Sequence, residues 1–465
     1  MTKNIVIIGA GIAGLTLASQ LAEQGISTVI VECEDHVGGL AYSYKYNNGA
    51  IFDIGPHRFH TDDDKVQQFI EKTLADNVIT IDRNSQLFLF GKYLPWPITL
   101  KNVLSLPPSM LIKASVDLIF PKKAKNESFR DYIIEKYGNT LYEVFFRPYS
   151  EKFLDYTCSN LHRDWAEAGI NRATIDNQVQ TNSLTSLIKS VIFSKNPDTK
   201  FLYPKTGGIG AFCEKLTDKV IQNGGRILLN TRVDRLATKN GGITSVITNQ
   251  GEEIPADYVF WSGSLQDLHT VGKMPESVPQ MHYISTILFN YLVSDQIPQG
   301  FQWCYFGDAD MEVDRISVPR NFNPDTVPKG KEALCIEITC EESSPFWQDP
   351  SRADCKIETF MLHANLIDSL DCIEDVHIEK VRRTYPLYTL NYPRKLRATF
   401  EWVEAEWKNL SLLGRTGRFW YNNMDHSIAA SLQTAERFIE DYQKGTLRKN
   451  TRYSIEDRYF GDDSH

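Results

Sequence analysis

The sequence predicts an α/β protein with three parts: a parallel sheet wound by helices, an inserted helical lobe and a lobe built on an antiparallel sheet. Three observations predict this architecture. The chain opens with a strand, a glycine turn, a helix and a second strand; residues 61–204 show mostly helical periodicity; and residues 265–400 contain β-rich, partly alternating runs. A chain of 465 residues has room for about three such units.

The first element is a βαβ unit. Residues 4–8 are mostly apolar and β-branched, residues 9–14 are rich in glycine, residues 15–23 repeat apolar positions at helical spacing, and residues 27–32 read as a second buried strand. This order is typical of the start of a doubly wound sheet. We therefore expect a Rossmann-like nucleotide-binding domain.

The rest of the chain predicts the order of the lobes. Residues 76–199 are predicted to form a mostly helical substrate lobe, residues 265–400 an antiparallel sheet lobe, and residues 444–465 a polar tail. Helical and strand-like segments typical of the nucleotide-binding domain resume after each of the two lobes. The nucleotide-binding domain is therefore expected to be discontinuous, comprising residues 1–75, 200–264 and 401–443.

The composition argues against several classes of protein. A net charge of −9 disfavours general binding of nucleic acid, which requires a basic face. No run of about 20 uncharged apolar residues is present, so no membrane span is expected. The residues after Met1 show no secretory signal pattern, and we expect a cytoplasmic protein. Eight cysteines without zinc spacing predict reduced structural thiols and no metal site.

A G-x-G-x-x-G turn predicts a dinucleotide site. Gly9, Gly11 and Gly14 lie between a strand and a helix, and Glu32 closes the strand that follows this helix. The glycines allow a tight turn, close approach of the pyrophosphate and close packing of helix on strand, while the helix N-terminus faces the phosphates. A carboxylate at position 32 would accept hydrogen bonds from ribose hydroxyls, which favours FAD or NAD over NADP.

Two following segments decide between FAD and NAD. Gly38 and Gly39 extend the fingerprint with a glycine pair that many flavoproteins carry, which favours FAD. Residues 52–61 then place His57, Arg58 and His60 in a glycine-proline turn. We interpret this turn as part of the site.

These segments resemble the UDP-galactopyranose mutase family, flavoenzymes that share a scaffold with protoporphyrinogen and amine oxidases. The resemblance extends to about residue 440. Residues 55–61 match the family's G-x-H-x-F-H-T turn, whose histidines lie beside the flavin. Further matching segments are residues 91–98, 146–152, 203–208, 315–324, 414–418 and 421–427.

The resemblance implies a role for each matching position. It implies that Arg315 and Tyr421 bind the substrate diphosphate, with Tyr385 as a second tyrosine, and that Arg415 meets the FAD pyrophosphate. The catalytic residues it implies are His57, His60, Arg315 and Tyr421. The cofactor-binding residues are Gly9, Gly11, Ala13, Gly14, Glu32, Gly38, Gly39, Leu40, Arg58, Val233, Arg415, Met424, Asp425, His426 and Ser427. The substrate-binding residues are Trp96, Phe146, Tyr149, Arg172, Arg315, Tyr385 and Tyr421.

The chain departs from the family pattern at three places. Leu154 stands where the family usually has tryptophan, and Leu40 replaces an asparagine common in bacterial members. A second arginine that clamps the diphosphate is missing at Ala168 or Gly169, and Arg172 is the nearest candidate to replace it. These departures affect the assignment of the sugar and the nucleotide of the substrate more than the assignment of the cofactor.

The resemblance implies a sugar-nucleotide mutase that interconverts pyranose and furanose forms through an adduct of the sugar with N5 of reduced FAD. It also implies a sugar-nucleotide substrate and an external reductant such as NAD(P)H. The sequence does not determine the sugar or the nucleotide. It also leaves the oligomeric state open, and a homo-oligomer is one of the possible states. Two alternatives stay open: an FAD-dependent oxidase or desaturase with an apolar site, and a non-catalytic FAD-binding protein.

Overall fold

The computed structural model describes residues 3–96, 107–120, 122–173, 200–294, 296–308 and 313–447, without the side chains of residues 118 and 169–173. Most of the predicted tail lies outside these ranges. Within them the strands are β1 Ile5–Ile8, β2 Thr28–Val31, β3 Ser43–Lys45, β4 Ile51–Asp53, β5 Val78–Asp82, β6 Ser85–Leu89, β7 Lys92–Trp96, β8 Lys200–Pro204, β9 Arg226–Leu228, β10 Val233–Lys239, β11 Gly242–Thr248, β12 Glu253–Pro255, β13 Tyr258–Trp261, β14 Tyr283–Val293, β15 Trp303–Phe306, β16 Arg315–Ser317, β17 Glu332–Cys340, β18 Ile373–Pro386 and β19 Leu410–Leu412.

The α-helices of the described ranges are α1 Ile12–Glu23, α2 Asp64–Leu74, α3 Pro108–Ile119, α4 Phe129–Tyr137, α5 Asn139–Leu141, α6 Arg147–Leu154, α7 Asp164–Ala173, α8 Gly210–Gln222, α9 Leu265–Val271, α10 Pro319–Phe322, α11 Pro345–Gln348, α12 Asp354–His363, α13 Tyr392–Glu406, α14 Gly414–Gly417 and α15 Met424–Gln443. A π-helical turn, Tyr142–Phe146, connects α5 to α6.

A five-stranded parallel sheet forms the nucleotide-binding part, in the order β19-β13-β1-β2-β9. Ile5 of β1 lies opposite Thr28 of β2 and Tyr258 of β13. All four residues of β1 are buried. Helices cover parallel sheets on both faces, and a continuous apolar strand such as β1 is the sequence signature of that burial. The predicted α/β fold class is confirmed.

A seven-stranded sheet forms the second large layer, in the order β18-β14-β17-β16-β15-β6-β7. Its pairs are antiparallel except for β15 with β6. β14 is buried over all of its length after Tyr283 because it lies between β17 and β18. The antiparallel lobe predicted for the region after residue 265 is therefore present.

Residues 78–96 differ from the prediction of a helical lobe over residues 76–199. They form β5, which pairs with β8, and β6 and β7, which extend the seven-stranded sheet. Pro95 lies in β7, the edge strand, where a residue without a backbone N–H is tolerated. The helical part of the lobe runs from α3 to α7, and residues 174–199 lie outside the described residues.

The two sheets place functional side chains on opposite walls of one cavity. Gly9, Glu32 and Ser262 follow the carboxyl ends of β1, β2 and β13, where ligands bind in open α/β sheets. Arg315 lies on β16 opposite Glu337 of β17.

Candidate active site

A cavity of about 1150 Å³ extends from the glycine turn after β1 to the seven-stranded sheet. Its walls contain most of the predicted site residues: Gly9, Gly11, Ala13, Glu32, Gly38, Gly39, Leu40, His57, Arg58, His60, Val233, Arg315, Tyr385, Arg415, Tyr421, Met424, Asp425, His426 and Ser427. A single cavity therefore brings together residues that are far apart along the chain.

The glycine turn fits the phosphate-binding role. Gly14 does not line the cavity; a Cβ atom there would lie 2.1 Å from the carbonyl oxygen of Gly9, so only glycine permits α1 to pack this closely. Helix α1 begins after Gly11 without a capping side-chain hydrogen bond. Its first N–H groups are directed at the cavity end where a pyrophosphate would bind.

Glu32 is buried at the end of β2. Its Oε2 accepts a hydrogen bond of 2.6 Å from the N–H of Ala10, and its Oε1 accepts one of 3.0 Å from the N–H of Glu34. These bonds hold the carboxylate at the cavity wall. The thiol of Cys33 also donates to Oε1 at 3.3 Å, so Oε2 is the oxygen that keeps a lone pair for the predicted contact with a ribose hydroxyl.

A second helix N-terminus reaches the same cavity. Helix α15 begins at Met424 after Asn423, without a capping side-chain hydrogen bond, and residues 424–427 line the wall. Asn422 and Ser427 are hydrogen-bonded to each other through their side chains, 3.0 Å apart, which fixes the entry to the helix. Two helix N-termini on one cavity fit the phosphates and the polar ring edge of an FAD.

The turn at residues 55–61 passes directly over an ion pair. Gly55 has φ +73°, and a Cβ atom there would lie 2.9 Å from Oε1 of Glu337 and 3.0 Å from Nη2 of Arg315. Only glycine combines that backbone conformation with this close approach. The turn therefore brings His57 to the Arg315 side of the cavity.

His57 is a neutral imidazole. Burial lowers the pKa of His57 to about 3, and the positive charges of Arg315, Arg58 and Arg415 act in the same direction. Its Nδ1 is buried and has no hydrogen-bond partner among the described residues. Burial also lowers the pKa of His60. Both rings can exchange hydrogen bonds with a ligand without adding charge.

Arg315 is held in a bidentate ion pair. Its Nε donates to Oε1 of Glu337 and its Nη2 to Oε2, each at 2.6 Å, and Nη2 also donates to the hydroxyl of Tyr385 at 3.2 Å. Burial alone would lower the pKa of Arg315, but the Glu337 carboxylate raises it well above its ordinary value. Arg315 therefore stays charged at a fixed orientation in the cavity wall.

Arg415 lies between two tyrosine rings. Its guanidinium carbon is 4.5 Å from the ring centre of Tyr421 and 4.9 Å from that of Tyr385, and its nitrogens donate to the carbonyl oxygens of Asn422 and Thr384. This cation-π stack fixes both tyrosines beside the guanidinium. Arg315, Arg415, Tyr385 and Tyr421 form one group, which we call the arginine-tyrosine cluster.

Three predicted aromatic residues lie outside the cavity wall. Trp96 and Tyr149 both contact Tyr305, with ring centres 6.4 and 6.1 Å apart, and Phe146 stacks on Tyr137 at 5.2 Å. They form an aromatic layer beside the cavity. The side chain of Arg172 lies outside the described residues, and Leu154 is fully buried in the core.

Two residues that sequence reasoning did not assign to the site contact it. Trp165 of α7 stacks on Tyr421 with ring centres 5.0 Å apart and an interplanar angle of 10°. Glu337 orients Arg315, as described above. Neither belongs to a motif that we recognised; the apolar strand β17 does, however, carry Glu337 as an isolated charge, which was a usable signal.

Among the residues the structure describes, no helix is both long and apolar enough to cross a membrane, and no group of three or more acidic, histidine or cysteine side chains is placed to hold a metal ion.

Comparisons with known proteins identify the family and the fold. A family profile for "Flavin containing amine oxidoreductase" matches residues 12–287. The chain is 23% identical over 454 residues to a probable UDP-galactopyranose mutase of Klebsiella pneumoniae, and the match covers 94% of this chain and 95% of that protein. The predicted resemblance is confirmed over nearly the whole length.

Solved structures show the same fold. The crystal structure of a reduced UDP-galactopyranose mutase has a TM-score of 0.81 at 20% identity, and the match covers 95% of this chain and 94% of that one. A putative protoporphyrinogen oxidase from Exiguobacterium sp. 255-15 has a TM-score of 0.74 at 15% identity, and the match covers 95% of this chain and 99% of that one.

Proposed function

The chain belongs to the flavin containing amine oxidoreductase family and is an FAD-dependent enzyme, and we propose that it interconverts the pyranose and furanose forms of a sugar nucleotide. The full-length likeness to a probable UDP-galactopyranose mutase supports this reaction over the oxidoreduction that the family profile names.

The observation that carries the proposal is the charge of the cavity. Arg58, Arg315 and Arg415 line it together with the hydroxyl-bearing rings of Tyr385 and Tyr421. Buried guanidinium groups are costly unless an anion or acceptor is close. An oxidase for an apolar amine, porphyrin or polyene would also use donors for the FAD pyrophosphate, to which the resemblance assigns Arg415. It would not need Arg315 with the hydroxyls of Tyr385 and Tyr421 in addition, whereas a substrate diphosphate requires planar donors of this kind.

Arg315, Tyr385 and Tyr421 of the arginine-tyrosine cluster would hold the substrate diphosphate while its bond to the anomeric carbon breaks and re-forms, and Arg415 would meet the FAD pyrophosphate. Arg315 is oriented in advance by Glu337, so little reorganisation is needed as negative charge develops on the leaving diphosphate. Keeping that group in the cavity makes recombination an event within one complex. The reduced flavin, when bound, supplies the nucleophile for the anomeric carbon.

The residues of the turn at 55–61 would shape the sugar site. Neutral His57 can donate or accept a hydrogen bond with a sugar hydroxyl without competing with the arginines for the diphosphate. An external reductant such as NAD(P)H would keep the flavin reduced.

The test is turnover under anaerobic conditions. Protein reduced with dithionite is incubated with UDP-galactopyranose and with other sugar nucleotides, and the products are separated by chromatography. We expect a furanose product with reduced protein and none with oxidised protein. Arg315→Lys should lower turnover by about 100-fold because it loses the planar fork, whereas Arg437→Met, on the exposed face of α15, should leave turnover unchanged. Absence of furanose product from every sugar nucleotide with fully reduced FAD contradicts the proposal.

The family profile and the fold shared with a putative protoporphyrinogen oxidase favour a second candidate, an FAD-dependent oxidase or desaturase. It is tested by mixing oxidised protein anaerobically with amines, porphyrinogens or polyenes. Loss of the visible flavin absorbance would support it, and unchanged absorbance would exclude those substrates.

A further inference from the structure

Arg58 differs from three other largely buried arginines in its partners. Arg315 is paired with Glu337, Arg320 with Glu332 and Arg383 with Asp267. Arg58 has no carboxylate within ion-pair distance among the described residues; its Nη1 donates to the carbonyl oxygen of Pro56 at a long 3.3 Å, and its Nε is buried without an acceptor.

Aromatic rings hold Arg58 in place. Its guanidinium carbon lies 4.7 Å from the ring centre of Trp303 and 5.2 Å from that of Phe201. These contacts place the guanidinium group against two aromatic rings, and Arg58 lines the cavity. Burial lowers the pKa of Arg58, and the neighbouring charge of Arg315 lowers it further. A cation placed beside another cation without a bonded carboxylate is an arrangement that a bound anion would stabilise.

We propose that Arg58 is a second guanidinium for the substrate diphosphate, acting from the turn at residues 55–61 together with Arg315. The inference rests on the proposed function and names a specificity-determining residue for it. Helix α7, which carries Trp165 against Tyr421, has alanine and glycine at positions 168 and 169, and the side chain of Arg172 near its end lies outside the described residues.

The anion bound by Arg58 is that of the substrate rather than that of FAD. The groups that act electrostatically on Arg58 include Arg315 and Tyr421 of the arginine-tyrosine cluster, Tyr305 of the aromatic layer, and Asp425 at the start of α15. The FAD pyrophosphate has its own donors in the backbone N–H groups at the start of α1. The inference assigns Arg58 to the substrate, whereas the resemblance assigns it to the cofactor, and the experiment below distinguishes the two.

The test measures the binding of UDP to the FAD-loaded protein, with the change in the flavin absorbance spectrum as the readout. Arg58→Met is compared with Arg58→Lys, which keeps the charge but loses the planar fork, and with Arg437→Met as a control for the loss of one positive charge. FAD content is measured in each variant from the ratio of flavin absorbance to protein absorbance. Two further probes are UMP, which lacks the second phosphate of UDP, and uridine, which lacks both phosphates.

We expect Arg58→Met to raise the dissociation constant for UDP by about 10- to 100-fold, since one hydrogen-bonded charge is lost. Arg58→Lys should lie between that variant and the wild type, the effect should shrink for UMP and vanish for uridine, and FAD content should not change. Loss of FAD from Arg58→Met with normal UDP binding in the loaded fraction overturns the inference in favour of a cofactor contact. Unchanged UDP binding in both variants overturns it while leaving the mutase proposal intact. If the wild type binds no nucleoside diphosphate, the proposed function itself fails.

Discussion

Glu337 holds the most consequential contact of the site, and replacing it by glutamine tests how Arg315 is oriented. Glutamine has the shape of glutamate, but one of its terminal atoms is an NH₂ group. One of the two hydrogen bonds of 2.6 Å to Arg315 would survive. At the position of the second bond, the new NH₂ group would face an N–H donor of Arg315. Hydrogen bonds to charged groups are worth about 1.5–3 kcal/mol each, and breaking a buried pair adds the cost of an isolated charge. We therefore expect the free energy of unfolding to fall by about 2–4 kcal/mol.

The effect on ligand binding separates an orienting role from a structural one. Glu332→Gln is the control for loss of a carboxylate beside an arginine, because Glu332 lies 2.7 Å from Nε of Arg320, a residue that does not line the cavity. Urea denaturation of the FAD-loaded proteins should show a smaller loss of stability for Glu332→Gln, since this contact is single and the Arg315–Glu337 pair is bidentate. A titration with UDP should show an approximately tenfold weaker affinity for Glu337→Gln alone. Equal UDP affinity of Glu337→Gln and wild type would refute the reasoning.

Three further predictions concern the same wall of the cavity. Gly55→Ala should weaken UDP binding more than tenfold, because its Cβ would lie 2.9 Å from Glu337. The control Gly91→Ala, at a position with φ +69° and open space around it, should show backbone strain of about 1 kcal/mol and normal UDP binding. Equal UDP binding by the two variants would contradict this prediction. The pKa of His57 is lowered to about 3 in the folded protein from its ordinary value of 6.5. The free energy of unfolding should therefore decrease as the pH falls below 6.5, by about 1.4 kcal/mol per pH unit until about pH 3. His57→Gln should remove that part of the acid sensitivity in urea titrations at pH 5 and pH 7, and an unchanged difference would show that His57 does not carry it. Tyr421→Phe should reduce mutase turnover about 10- to 100-fold with FAD content unchanged, and full turnover would remove the hydroxyl from the mechanism.

Local patterns were sufficient to predict the nucleotide-binding half of the site. Gly9, Gly11 and Gly14 fulfil backbone requirements that few other sequences meet, so strand, turn and helix could be read from consecutive residues. Met424 and its neighbours at the start of α15 were assigned through the family resemblance, which also rests on one short segment. In each case the requirement and the residues that satisfy it lie within one short segment.

The parts that were not predicted depend on partners that are distant in the sequence. β6 pairs with β15, on the far side of the helical lobe along the chain, and β5 pairs with β8, so the strands of residues 78–96 are stabilised by contacts that no local periodicity contains. The stacking of Arg58 on Trp303 and of Trp165 on Tyr421 is of the same kind. A motif can name an arginine, but only the folded structure shows which carboxylate or ring lies beside it.

The strand order of the parallel sheet affects how the enzyme is made. β1 is synthesised first, yet its neighbour β13 arrives only after the whole helical lobe, and the edge strand β19 only after the antiparallel lobe as well. Residues 414–416 and 421–427, which line the cavity, leave the ribosome later still. Capture of FAD therefore belongs to the end of biosynthesis, and nascent chains or fragments stopped before residue 410 would emerge colourless.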